Sequence, residues 1–191
     1  MIATASVAWA SLLSASSSHI RPLLALSGAA HVGYTLSGVT FTLEPLVIYT
    51  GVYALTFTLL GTGLAANSSL HVSDLRGYLN VFLLPGLSLQ AALLSLAGIP
   101  PLLGFFTKAL VLIGGVCLTN SFAQPCLLVL LGVTGTVAYL RVVLAIMGYP
   151  QSGFYTLAPA FGVLPGSQAF LLVSVLFAGG LSGEPYSLLF N

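Results

Sequence analysis

The chain has 191 residues, of which 58% are hydrophobic and only 4% charged, with a mean hydropathy of +1.09 and a formal charge of +1. Soluble domains carry about a quarter charged residues, so a soluble globular domain is excluded, and four basic residues spread over the whole length form no surface for nucleic acid. A spanning helix takes about 20 apolar residues and an open sheet edge cannot exist in lipid, so the expected fold is all-α: a polytopic membrane helix bundle of about six transmembrane crossings.

Apolar windows predict helices at about Ile2 to Ser18, Leu23 to Leu43, Leu46 to Ala66, Leu79 to Leu118, Pro125 to Gly148 and Phe161 to Ser182. The first resembles a signal-peptide apolar region, with small residues at Ser14-Ala15-Ser16. No positive charge precedes it, and a short first span is the preferred reading. Arg21 follows, and Glu44 beside Pro45 reads as a solvated cap at a span end, as does Glu184 beside Pro185. The connection Asn67 to Gly77 holds an Asn-Ser-Ser triplet, treated as chance, and Arg76. Neither this loop nor Tyr149 to Pro159 holds a phosphate cradle, a carboxylate pair or a metal-ligand cluster, so no cofactor site is expected in the chain. Cys117 and Cys126 lack CxxC spacing and read as small hydrophobes.

The fourth window is too long for one straight crossing, which leaves a hairpin or one discontinuous helix. Within it the Gly98 to Gly104 interruption carries Pro100 and Pro101, neither of which can donate a backbone hydrogen bond. If the segment crosses once, Arg21, Arg76 and Arg141 all fall near one side, as the positive-inside bias prefers. That favours six crossings with a broken fourth helix. Unwound backbone at this depth is tolerated only against protein or a water-filled cavity.

Just beyond the interruption stands Lys108, the only lysine in the chain. An ammonium at mid-membrane depth costs roughly 2.5 to 3.5 kcal/mol on insertion scales, which makes such a residue a candidate for proton or ion handling. A lysine can gain and lose a proton when buried, whereas arginine stays charged, so the three arginines supply field and topology but no relay. His31 is the second candidate. It lies in a run of small residues, with Ser27 and Tyr34 at spacings of four and three that project from about the same helix face. The bland alternatives are a histidine bonded to a backbone carbonyl and a lysine snorkelling to an interface.

The segment Leu94 to Lys108 (LSLAGIPPLLGFFTK) resembles the broken helix of the antiporter-like membrane subunits of respiratory complex I, most of all the subunit 2 type. Ile20-Arg21 with Leu24 to Ser27 and His31-Val32-Gly33-Tyr34, then Leu75-Arg76-Gly77, then Tyr139-Leu140-Arg141 are similar to further family pieces in the same order, and the resemblance fades beyond Gly148. It implies one membrane domain over 1–191, with 1–148 as an antiporter-like second inverted repeat and 149–191 as a loop plus final helix. It also implies that the first repeat, with its glutamate and two lysines, belongs to a separate chain. By the same resemblance Lys108 is the terminal proton-relay lysine and His31 the histidine before it. Ser27, Tyr34 and Thr107 line the water path. Gly98, Pro100, Pro101 and Gly104 form the break. Pro22 and Gly28 depart from the family, which usually has a second basic residue and a second serine there.

The function so implied is that of a proton-translocating segment of the membrane arm of NADH:ubiquinone oxidoreductase, without a redox centre of its own. Flavin, iron–sulfur clusters and quinone would be held by other subunits. Its partners would be the chain with the first repeat, other membrane-arm subunits and the lipid bilayer, in a mitochondrial inner membrane or, alternatively, a bacterial plasma membrane. A subunit of a cation/proton antiporter complex and a non-pumping structural half-subunit are the alternatives.

Overall fold

A computed structural model describes residues 2–39, 43–64, 71–81, 83–100, 102–119 and 122–149. Among these residues seven α-helices run in order: α1 (Ile2–Ser16), α2 (Ile20–Val39), α3 (Leu43–Leu64), α4 (Tyr78–Val81), α5 (Leu83–Ala97), α6 (Leu103–Thr119) and α7 (Ala123–Met147). A 3-10 turn, Val72–Leu75, precedes α4. No strand occurs among the described residues, as expected of a membrane bundle. The anticipated final helix, Phe161 to Ser182, and Pro101 lie outside them, as does Asn67-Ser68-Ser69.

Four polar contacts and one ring contact fix which helix ends share a face. The Val72 N–H donates to Ser18 O at 3.0 Å, and His19 and His71 form an isolated backbone bridge with their rings 3.8 Å apart. Arg141 donates through Nη1 to Ala15 O at 3.1 Å and through Nη2 to Ser17 O. The end of α1, the start of α2, the 3-10 turn and the end of α7 therefore meet at one face, and α4 leads into α5 from that same face. Since α7 ends there, it begins at the opposite face, and α6 must end there too. The path from α5 to α6 thus crosses the bundle once, which decides against the hairpin.

Arg21, Arg76 and Arg141 consequently lie at a common face, as the single-crossing reading predicts. At 1.5 Å per residue, α5 is about 22 Å long and α6 about 26 Å, so their junction falls near mid-depth. Among the described residues α7 alone is long and apolar enough to pass as a span by itself. Leu46–Thr58, Gly86–Ala97 and Leu103–Cys117 are shorter apolar stretches. A length test misses a broken crossing because each half falls short.

Two apolar clusters hold the bundle. Toward the arginine face, Ile20, Leu23, Leu60, Leu89, Leu93, Leu96, Tyr139, Val142 and Ile146 pack together. Toward the other face the cluster is Val7, Tyr34, Tyr49, Val111 and Leu128. Several buried polar residues fall at the depth between these clusters: Ser27 and His31 on α2, Thr56 on α3 and Thr107 on α6. A polar layer is thereby enclosed at mid-depth. Leu12, Val47, Leu130 and Leu144 are among the large apolar side chains left on the outside, where lipid or neighbouring helices are the natural solvent.

Candidate functional site: the helix break and the layer around Lys108

A helix leaves four carbonyls without partners at its C-terminus and four N–H groups at its N-terminus, and at mid-depth no bulk water satisfies them. The sequence resolves this at the junction of α5 and α6. Gly98 adopts φ +80, the left-handed conformation that glycine tolerates best. Its N–H donates to Ser95 O at 3.0 Å, and the Ile99 N–H donates to Leu94 O at 3.2 Å. This is a Schellman ending, which uses two of the four carbonyls. Lys108 takes the other two: Nζ donates to Leu96 O at 2.7 Å and Ala97 O at 3.0 Å. A cation at a helix C-terminus also complements the partial negative charge there.

The exchange is reciprocal. Ser95, from α5, accepts a hydrogen bond on Oγ from the Gly104 N–H, one of the free donors at the start of α6, at 3.2 Å. The two halves run so close that a Cβ on Gly104 would stand 1.7 Å from Ser95 O. Between them Leu102 N–H donates to Ile99 O at 3.1 Å, closing the turn that carries Pro100. The sequence expectation of a break at Gly98 to Gly104 is therefore met by a structure in which Lys108 reaches inward to backbone rather than outward to an interface.

Lys108 is partly buried, with Nζ 5.9 Å from the centroid of the Tyr34 ring. His31, Ser27 and Tyr34 are buried on one side of α2, as their spacing predicts. The Tyr49 hydroxyl lies 2.5 Å from His31 Nδ1, and the Tyr53 ring stacks on the imidazole at 4.3 Å between centroids. With Nδ1–H donating to the tyrosine oxygen, Nε2 keeps the free lone pair. His31 is thus held by a side chain, not by the backbone carbonyl of the bland reading. Tyr34 donates to Leu128 O at 2.8 Å, Ser27 to Leu24 O at 2.7 Å, and Thr107 to Gly104 O at 3.2 Å.

Two small cavities flank this group. One, of about 30 Å³, is walled by Ser11, Ser14, Ser27, His31, Tyr34, Lys108, Thr136 and Tyr139. The other, of about 10 Å³, is walled by His31, Tyr49, Tyr53, Thr56, Ser95, Thr107 and Lys108. A water needs about 10 to 15 Å³ of such space and two to four polar partners, so the first has room for about two waters and the second for about one. His31 and Lys108 are common to both walls.

The structure therefore brings together Lys108, His31, Ser27, Tyr34 and Thr107. Arg76 and Arg141 lie elsewhere, beside a separate surface pocket, and Arg21 is exposed at the start of α2. The sequence reading missed Tyr49, Tyr53, Tyr139 and Ser95. Tyr49 and Tyr53 stand four apart in an apolar helix, where a buried tyrosine hydroxyl usually finds a polar partner, but nothing in that spacing identifies His31 as the partner. Among the described residues no group of three metal-ligating side chains is found.

Comparison with known proteins gives this geometry a family. NADH-quinone oxidoreductase subunit N 1 of Herpetosiphon aurantiacus is 29% identical over 92% of this chain and 39% of its own length. NADH-ubiquinone oxidoreductase chain 2 of Rhizopus oryzae is 33% identical over 65% of this chain and 27% of its own length. The chain thus spans well under half the length of these relatives. A chain of respiratory complex I from Thermus thermophilus with bound aureothin superposes with a TM-score of 0.81 at 26% identity, covering 94% of this chain and 42% of that one. An Mrp complex chain from Dietzia sp., at 20% identity and a TM-score of 0.78, shares the fold. Residues 1–139 match the family described as NADH:quinone oxidoreductase/Mrp antiporter, TM, and with most of its length inside that match the chain belongs to this antiporter-like membrane family.

Proposed function

We propose that this chain is a proton-translocating segment of the membrane arm of an NADH:quinone oxidoreductase, with Lys108 as the relay residue and His31 as its exchange partner. The observation that carries the proposal is the place of these two side chains on the shared wall of two cavities at a helix break. A proton leaving the Lys108 ammonium passes by way of water-sized space to the bare Nε2 of a neutral His31 whose Nδ1–H donates to Tyr49, giving an imidazolium and a neutral amine, or the reverse. The carbonyls of Leu96 and Ala97 hold the ammonium in one position while it is charged. Quinone reduction elsewhere in the assembly would supply the driving field, and flavin, iron–sulfur clusters and quinone would belong to other subunits. A further antiporter-like repeat packed against this segment would complete the path. The mitochondrial inner membrane is the proposed location, with a bacterial plasma membrane as the alternative. The relatives' names favour the oxidoreductase over the cation/proton antiporter complex.

The structural half-subunit is a second reading with an observation in its favour: Lys108 already satisfies two orphan carbonyls, as a clasp between α5 and α6 would. One substitution separates the two. Lys108→Met in the assembled oxidoreductase is expected to abolish proton translocation per electron at this subunit while quinone reduction continues. Unchanged proton-to-electron stoichiometry would leave only the clasp. Because the variant strips Leu96 O and Ala97 O of their donor, it also lowers stability by about 1–3 kcal/mol for each buried group left unpaired. Removal of the charge alone would not have predicted that cost.

A further inference from the structure

We propose that the arginine face carries a binding site for the phosphate of an anionic membrane lipid, formed where the 3-10 turn meets the end of α7. A pocket of about 620 Å³ opens there, lined among others by His71, Ser73, Arg76, Arg141, Leu144 and Tyr149. The whole chain has only seven charged residues, four basic and three acidic. Three of the basic ones, Arg21, Arg76 and Arg141, lie at this face, and Asp74 is the one acid beside them among the described residues. Asp74 is turned onto its own turn, where its carboxylate accepts from the His71 N–H at 3.0 Å and from Ser73 Oγ at 3.3 Å. Arg141 spends Nη1 and Nη2 on the carbonyls of Ala15 and Ser17, which fixes its charge at the pocket wall without neutralising it. Arg76 is exposed and lines the same pocket, its guanidinium a fork of N–H donors suited to an anion.

A second observation sets the ligand as an amphiphile rather than an acidic peptide. The pocket wall continues through Leu144 into an exposed apolar stripe on α7, running Met147, Leu144, Leu140, Val137, Val133 and Leu130 at alternating spacings of three and four. Leu144 is 67% exposed. A phosphate seated between Arg76 and Arg141 lays its acyl chains along this stripe, within the bilayer and parallel to the helix. Basic pockets between transmembrane helices at the positively biased face bind anionic head groups on the same physical grounds.

The test uses the full chain in its native membrane assembly, reconstituted into nanodiscs of phosphatidylcholine doped with phosphatidylglycerol that carries a photoreactive group in one acyl chain. Crosslinks are expected on α7 between Val137 and Met147, and to fall about fivefold in Arg76→Gln, the factor for losing one basic residue near an anionic surface. Arg76→Lys, which keeps the charge, should retain them. Photoreactive phosphatidylcholine should label the stripe no better than Arg76→Gln labels with phosphatidylglycerol. If both lipids label the wild type equally, the proposal fails, and that comparison needs no variant to fold. Labelling unchanged by Arg76→Gln also overturns it. Competition by millimolar inorganic phosphate would assign the pocket to a soluble phosphate and exclude the lipid as its source.

Discussion

Tyr49 does for His31 what no backbone carbonyl does: its hydroxyl can accept from one ring nitrogen or donate to it, so the pair stays satisfied when the ring changes its protonation. Its hydroxyl engages Nδ1 at 2.5 Å, which leaves Nε2 as the nitrogen that can exchange a proton with the enclosed layer. Tyr49→Phe removes that partner and leaves a buried nitrogen unsatisfied, at a cost of about 1–3 kcal/mol. The expected outcome is slowed proton translocation with the assembly intact, read as proton flux per electron in reconstituted vesicles. Tyr53→Phe keeps the stacked ring and loses no contact with His31, so its flux should stay close to wild type. Equal effects from the two variants would show that ring packing matters and the hydroxyl does not. His31 and Tyr34 could be read from α2 because their spacing alone places them together. Tyr49 could not, because its contact with His31 depends on how α3 packs against α2, and no periodicity within one helix encodes that.

At the level of the element, the break between α5 and α6 is two helix ends that satisfy each other. Two glycines there play different parts and should fail differently. Gly98 needs its left-handed φ, which costs an ordinary residue about 1–2 kcal/mol, and a Cβ there meets Lys108 Cδ at 2.9 Å, the yielding part of a flexible side chain. Gly98→Ala should therefore assemble with reduced thermal stability. Gly104→Ala puts a methyl 1.7 Å from the Ser95 carbonyl oxygen, where only movement of a helix makes room. It should prevent assembly, and a Gly104→Ala subunit present at normal abundance in the purified complex would contradict the close crossing. Ser95→Ala lies between these, since it leaves the Gly104 N–H unpaired for about 1–3 kcal/mol, a drop measurable as an earlier thermal transition. The sequence announced a break from Gly98 and Pro100-Pro101. It gave no hint that Lys108 and Ser95 trade partners across it, since that requires knowing that the two halves overlap side by side.

The whole molecule turns on a parity argument. α1, α2, α3 and α7 are continuous, and the contacts of Ser18 with Val72 and of Arg141 with the end of α1 gather four termini at one face. An odd number of crossings must then separate the 3-10 turn from the start of α7, and the discontinuous helix supplies one. Composition and the three arginines already leaned this way, but counting could not settle it, because α5 and α6 are each apolar enough to be mistaken for half of a hairpin. Accessibility decides it in the membrane. In a background with Cys117 and Cys126 replaced, Ser73→Cys and Tyr149→Cys should react with an impermeant maleimide from the same side of sealed vesicles, since both positions line the pocket at the arginine face. Phe122→Cys, exposed just before α7, should react only from the other side. Reaction of all three from one side would require the segment from α5 to α6 to return to the face it started from. A relay at its break would then have no route from one face of the bundle to the other, because a proton delivered to Lys108 would be released on the side from which it came.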